Sequence, residues 1–177
     1  MKKTLLLILA FATLGMTACE EPNVPNEPND NPNNVEQEDP KPEPKPLPEA
    51  TYEFKHGITA TAYTLTTNGL RNDYISFYEE STSRTLFIDF YAPIDSPHLP
   101  SGEYPLGDGS VMTCAAEYTY LTLYVNGDLL RFSEGGATVE VDAEHESGFP
   151  WYHITAYFTM PNGETVSLDY EGQIAQE

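Results

Sequence analysis

Residues 151–170, WYHITAYFTMPNGETVSLDY, decide the fold. Ile154, Ala156 and Phe158 alternate with polar or amphipathic neighbours, and so do Val166, Leu168 and Tyr170. Between the two runs stands Pro161-Asn162-Gly163, the composition of a type I turn followed by a glycine in the left-handed region. A loop of those three residues pairs Phe158 with Val166, Ala156 with Leu168 and Ile154 with Tyr170. A two-residue loop would slip the register by one and set Thr159 and Tyr157 against the apolar residues, so the alternation selects the longer loop. The stretch is an antiparallel hairpin with one buried and one wetted face.

Working outward, Asn126-Gly127 is a second turn signal, because a type I′ turn needs positive φ at both positions. A two-residue loop there pairs Leu123 with Leu130 and Leu121 with Phe132. The opposite face then carries Tyr118, Tyr120, Thr122 and Tyr124 beside Leu129, Arg131 and Ser133. Upstream, Tyr52, Phe54, Ile58, Ala60 and Ala62 alternate around a bulge at Gly57, and Asn68-Gly69 ends that run. Ile75 and Phe77 alternate with Tyr74, Ser76 and Tyr78, and Leu86, Ile88 and Phe90 with Phe87, Asp89 and Tyr91. A proline-rich loop from Pro93 to Pro105 follows. No stretch keeps a helical period. Short strands punctuated by turns predict an all-β domain over 50–177, an antiparallel β-sandwich of roughly 8–10 strands. A lipocalin-like closed barrel is the rival architecture.

The other end of the chain concerns location. Lys2 and Lys3 precede an apolar run from Leu5 to Leu14, the layout of a secretory signal and shorter than the roughly 20 residues a transmembrane helix needs. Met16-Thr17-Ala18-Cys19 resembles the bacterial lipoprotein signal, which implies a signal peptide over 1–18 and a covalent lipid on Cys19. Cleavage by an ordinary signal peptidase after Ala18 is the alternative. Residues 19–49 interleave prolines with Asn, Asp and Glu and hold too little apolar surface to offset chain entropy, so an unfolded acidic tether is expected. The run from Pro40 to Pro48 favours extended polyproline II. Glu20 and Glu21 resemble the acidic export signals of Bacteroidota surface lipoproteins. Together these imply an outer-membrane protein held by its lipid and shown at the cell surface.

Charge narrows the partners. The formal net charge is -20, and Lys55, Arg71, Arg84 and Arg131 are the basic residues of 50–177. Such a surface repels nucleic acid. Cys114 reads as a small buried hydrophobe. His56, His98, His145 and His153 lack metal-ligand spacing, and no nucleophile elbow, phosphate loop or zinc helix is present. The 28 acidic residues could supply paired carboxylates for glycoside hydrolysis, but none is singled out. Glu140, Asp142, Glu144 and Glu146 alternate with apolar residues and read as one wetted strand face, flat where calcium wants a curved loop. Asp95, Asp108 and Asp128 are loop carboxylates without a calcium motif. No catalytic residue and no cofactor beyond the lipid is expected.

Two aromatic stripes are left as candidate ligand-binding surfaces. One is Tyr118, Tyr120 and Tyr124 with Arg131; the other is Trp151, His153 and Tyr157. Amphipathic rings on a sheet face stack on sugars or receive a protein partner. The order of elements resembles the small Bacteroidota lipoproteins that join a lipobox and tether to one all-β domain of unknown function. The matching segments are Leu99-Pro100-Ser101-Gly102-Glu103-Tyr104, Gly135-Gly136-Ala137-Thr138-Val139-Glu140-Val141, Tyr152-His153-Ile154-Thr155 and Asn162-Gly163 with Tyr170-Glu171-Gly172. The resemblance implies fold and location and carries no catalytic residues. The expected function is a non-enzymatic binding or adhesion module for a glycan or an envelope protein. A structural or assembly subunit, or less readily a glycan hydrolase, is the alternative.

Overall fold

The computed structural model describes residues 46–123 and 127–177. Its strands are β1 (Tyr52–Phe54), β2 (Ile58–Thr67), β3 (Leu70–Glu79), β4 (Arg84–Pro93), β5 (Gly102–Gly107), β6 (Thr113–Ala115), β7 (Tyr120–Leu123), β8 (Asp128–Arg131), β9 (Glu134–Asp142), β10 (Trp151–Thr159), β11 (Thr165–Gly172) and β12 (Ala175–Gln176). There is no helix among the described residues, and the fold is all-β. The count of twelve exceeds the expected one because β1, β6 and β12 are only two or three residues long.

The strands form one curled sheet in the order β1-β11-β10-β9-β5-β6-β4-β3-β2-β12, with β7 between β4 and β8. The two facing layers of the expected sandwich are the two halves of this sheet, joined where β5 leaves β9 and pairs β6. Three pairings, β1–β11, β5–β6 and β2–β12, are parallel. The strand order is open, running from β1 to β12. The result is a half-barrel, and the closed barrel is not formed among the described residues.

The alternation of the sequence fills the interior. Phe54, Ile75, Phe77, Leu86, Ile88, Phe90, Val139, Ile154, Phe158 and Leu168 are fully buried in one cluster, and each such side chain stabilises the fold by about 1.5–3 kcal/mol. Rings meet across the layers: Phe77 lies edge-on to Tyr170 at 5.4 Å and Phe90 edge-on to Tyr104 at 5.2 Å. Along β3 the inward positions run Arg71, Asp73, Ile75, Phe77, Glu79, apolar in the middle and charged at both ends. Each end carries an ion pair: Arg71 Nε to Asp73 Oδ2 at 2.6 Å, and Arg84 Nη2 to Glu79 Oε2 at 2.7 Å. Arg84 also lies over the Phe54 ring at 5.3 Å, a cation–π contact. Cys114 is buried, its thiol donates to the Tyr104 carbonyl at 3.3 Å, and burial pushes its pKa up, the condition of an inert thiol.

The hairpin at 161–163 has the expected register, with Phe158 opposite Val166, Ala156 opposite Leu168 and Ile154 opposite Tyr170. Gly163 is left-handed at φ +86°. Asn68 and Gly69, at φ +53° and +75°, close the β2–β3 hairpin as a two-residue loop with both residues at positive φ. The β7–β8 hairpin departs from expectation by two residues: Leu121 opposes Leu130 and Leu123 opposes Asp128. Its loop spans 124–127, of which Gly127 is described at φ +67°; Tyr124 and Asn126 lie outside the described residues. Phe132 is the reason. It leaves the hairpin to stack on Phe158 of the other layer, 4.7 Å between centroids and 14° between planes. A slip of two keeps every side chain on its expected face.

Three further expectations change. Gly57, at φ +64°, does not bulge one strand but separates β1 from β2, which lie in different halves. The proline-rich loop holds β5, whose residues Gly102–Pro105 pair β9. Glu140 and Asp142 share the outer face of β9, but the strand ends there and Glu144 and Glu146 follow it in a turn. The Gly135-Gly136 pair reflects close backbone approach. A Cβ on Gly135 would stand 2.2 Å from the Tyr157 carbonyl oxygen, and one on Gly136 2.8 Å from that of Tyr104. Cys19 and the tether up to residue 45 lie outside the described residues.

Candidate functional site: a tyrosine face

Outward positions on β2, β3, β4 and β7 build one aromatic surface from four strands. Alternation turns Tyr63 and Leu65 of β2, Tyr74 and Tyr78 of β3, Phe87 of β4 and Tyr120 of β7 away from the core. The ladder then sets them in rows. Tyr63 opposes Tyr74, while Ser76 opposes Phe87, which opposes Tyr120, which opposes Arg131. Phe87 is the centre: its ring lies 5.5 Å from that of Tyr74, stacked at 18°, and 4.8 Å from that of Tyr120. The Tyr74 and Tyr120 hydroxyls meet at 2.6 Å. Tyr63 is 50% and Tyr78 38% exposed, so two rings stand free at the margins of a packed trio. Thr59, Thr61, Ser76, Thr85 and Thr122 fill the positions between them. The surface is aromatic and hydroxylic, with Arg131 the charged side chain exposed on the register rows just described.

A polar knot lies beneath one edge. Asp89 and Asn72 are buried on the outward side of β4 and β3, under the loop that ends at Thr119. Asn72 Nδ2 donates to Asp89 Oδ1 at 2.6 Å, and the Asp89 backbone N–H donates to Thr119 Oγ1 at 3.2 Å. Burial raises the Asp89 pKa from 3.8 to about 6, against the Asn72 hydrogen bond that lowers it. Burial and the hydroxyl contact with Tyr120 likewise push Tyr74 up.

The Asp89 shift has a sign that can be tested. A carboxylate whose folded pKa is raised favours the protonated folded state. Its contribution to stability is therefore present below pH 4 and is lost as pH rises through about 6. The shift corresponds to about 2–3 kcal/mol at neutral pH. Asp89→Asn removes the charge and keeps an oxygen for Asn72. We expect it to raise the urea midpoint at pH 7.5 and to lose that advantage below pH 4. Equal midpoint differences at both pH values would mean that Asp89 ionises freely.

The residues expected from sequence fall on two different surfaces. Tyr120 and Arg131 lie on the tyrosine face, and Arg131 Nη1 donates to the Glu117 carbonyl. Tyr118, half exposed, belongs to the loop at its edge, and Tyr124 lies outside the described residues. Trp151, His153 and Tyr157 line up on β10, on the outer face of the other half of the sheet. There Trp151 stacks on His145 at 4.6 Å. His153 opposes Glu171 in the hairpin register, but its Nε2 meets Asp169 Oδ1 at 3.1 Å, an exposed pair worth little. Tyr157 lies beside Gly136. The two stripes are not one patch. Tyr63, Tyr74, Tyr78 and Phe87 join the site, and the same alternation that placed Ile75, Phe77 and Leu86 inside marked three of them as outward.

Of the buried carboxylates, Asp73 and Glu79 are committed to arginines and Asp89 to Asn72. Among the described residues no group of three or more His, Cys, Asp or Glu side chains is arranged to hold a metal ion. Compared with known proteins, the chain matches no family model, no curated protein and no solved structure.

Proposed function

We propose that this is a lipid-anchored envelope protein of the outer membrane, displayed at the cell surface, whose domain binds a glycan without acting on it. The observation that carries the reading is the tyrosine face. Protein-binding patches draw on Met and Arg as well as aromatics. This face offers tyrosine rings around Phe87, threonines between them, Leu65 and Leu129 exposed at its margins, and almost no charge. Rings of that kind stack on the apolar faces of sugars while hydroxyls meet their edges. Cys19, Glu20 and Glu21 and the proline-rich segment after them support anchoring and display. An assembly role through an open strand edge is the second reading: β12 pairs only Thr61 and Ala62 of the ten-residue β2, and β8 pairs β7 alone, so both present ladder positions without a strand partner among the described residues.

The test is a glycan array probed with the full chain in a detergent without a sugar headgroup, with and without calcium. We expect selective binding that weakens about tenfold for each of Tyr63→Ala and Tyr78→Ala and survives Trp151→Ala and Tyr157→Ala. Loss in the β10 variants alone would move the site to the other face. Loss on chelation would bring in the carboxylates Asp95, Asp108 and Asp128. A blank array together with a cross-linked envelope protein on intact cells would replace the glycan by a protein partner.

A further inference from the structure

At the end of the half-barrel where β2 turns into β3, a cavity of about 770 Å³ opens between the layers. We propose that it is a second binding site, for a compact uncharged ligand with an apolar face and a row of oxygen acceptors, the class to which short neutral saccharides belong. Its volume lies in the range of small-molecule sites, about 300–1,000 Å³. Phe149, 65% exposed, stands at its lining together with Pro97, Pro150 and Ile174, a wall against which an apolar ring face can lie.

The polar groups choose the ligand's charge. Arg71 lines the cavity and gives Asp73 two hydrogen bonds, at 2.6 and 2.9 Å, and the Ser96 carbonyl one at 3.1 Å. Three of its five N–H donors are thereby committed among the described residues, leaving two. Thr64 has one hydroxyl hydrogen, which goes to Asp73 Oδ1 at 2.6 Å, so toward the Gln176 side-chain amide, 3.1 Å away, the hydroxyl can only accept. One N–H of the Gln176 amide then serves that hydroxyl and the other is left. The floor therefore presents unspent donors. A cationic guest finds no carboxylate among the described lining residues. An anionic guest finds that guanidinium already neutralised by Asp73, inside a chain of net charge -20. Neutral acceptors answer the donors without either penalty. Burial also raises the pKa of Tyr152, which lines the same cavity, so its phenol stays uncharged and able to donate.

The inference stands apart from the tyrosine face, and the experiment separates them. Mono- to trisaccharides of glucose, galactose, mannose and N-acetylglucosamine, with glucuronic and galacturonic acid as charged counterparts, are titrated into the full chain by calorimetry. At least one neutral saccharide is expected to bind and the uronic acids to bind more weakly. Phe149→Ala, at an exposed site that leaves the core intact, is expected to weaken that binding about tenfold. Gln176→Ala should weaken it severalfold, while Tyr63→Ala and Tyr78→Ala leave it unchanged. Binding of uronic acids alone, binding indifferent to both Phe149→Ala and Gln176→Ala, or no heat with any probe would overturn the proposal, whatever the array shows for the face.

Discussion

Asp73→Ala is expected to lower the free energy of unfolding by about 3–5 kcal/mol. The carboxylate is 2% exposed and takes both parallel bonds from Arg71 as well as the Thr64 hydroxyl. Removing it leaves a guanidinium inside the end of the half-barrel with no counter-charge, and the desolvation of that cation is no longer offset. The pair itself is not the source of stability. A double replacement, Arg71→Met with Asp73→Leu, removes both charges and is expected to fall within about 1 kcal/mol of the parent or above it. Urea unfolding reads both variants. With a slope of about 1–3 kcal/mol/M, the single variant should lose at least 1 M in midpoint and the double variant little. Two equally damaged variants would show that Arg71 stabilises through packing of its stem rather than through charge.

Phe158→Ala should cost a similar amount, about 3–5 kcal/mol, by a different route. The ring is fully buried. On one side it stacks on Phe132, and on the other its strand lies opposite Gly135, where no side chain fills space. Deleting it opens a cavity that a two-glycine segment cannot collapse into, because β9 already approaches β10 and β5 as closely as backbone allows. Phe132 then loses the stack that draws it across from the β7–β8 hairpin. Fluorescence-detected unfolding should show the loss, and Phe158→Leu should recover more than half of it. A cost near 1 kcal/mol would mean that Phe132 moves in to fill the hole.

These elements also show where the sequence is readable. The hairpin around 161–163 was legible in full because turn chemistry and alternation agree, and no other element competes for its residues. Around 124–127 turn chemistry favoured the shortest loop, but Phe132 had a better partner in the opposite layer and Leu121 a better one against Leu86, so tertiary packing shifted the register. The parallel pairs were not legible: β1 and β12 lie against strands about a hundred residues away, which no local signal marks, and β5 pairs β6 at Leu106 and Cys114 across a connection shorter than the dozen or so residues a parallel crossover usually takes. The candidate site followed the same division. Each outward tyrosine could be read from its own strand, but only the order β2-β3-β4-β7 shows that Tyr63, Tyr74, Phe87 and Tyr120 adjoin while Trp151 and Tyr157 lie elsewhere.

The parallel pairing of β1 with β11 has a mechanical consequence. Tension arriving through the segment before Tyr52 enters the domain along β1, whose Tyr52, Glu53 and Phe54 oppose Val166, Ser167 and Leu168. Thr51 adds two more links, its N–H to Thr165 Oγ1 at 3.1 Å and its hydroxyl accepting from the Thr165 N–H at 3.2 Å. A pull directed along the strand axis loads all of these bonds in shear together, where a pull across it would peel them one rung at a time. Phe54, buried beneath the Arg84 guanidinium, acts as the toggle behind the rope. The first strand is three residues long, and its grip comes from loading direction rather than from length.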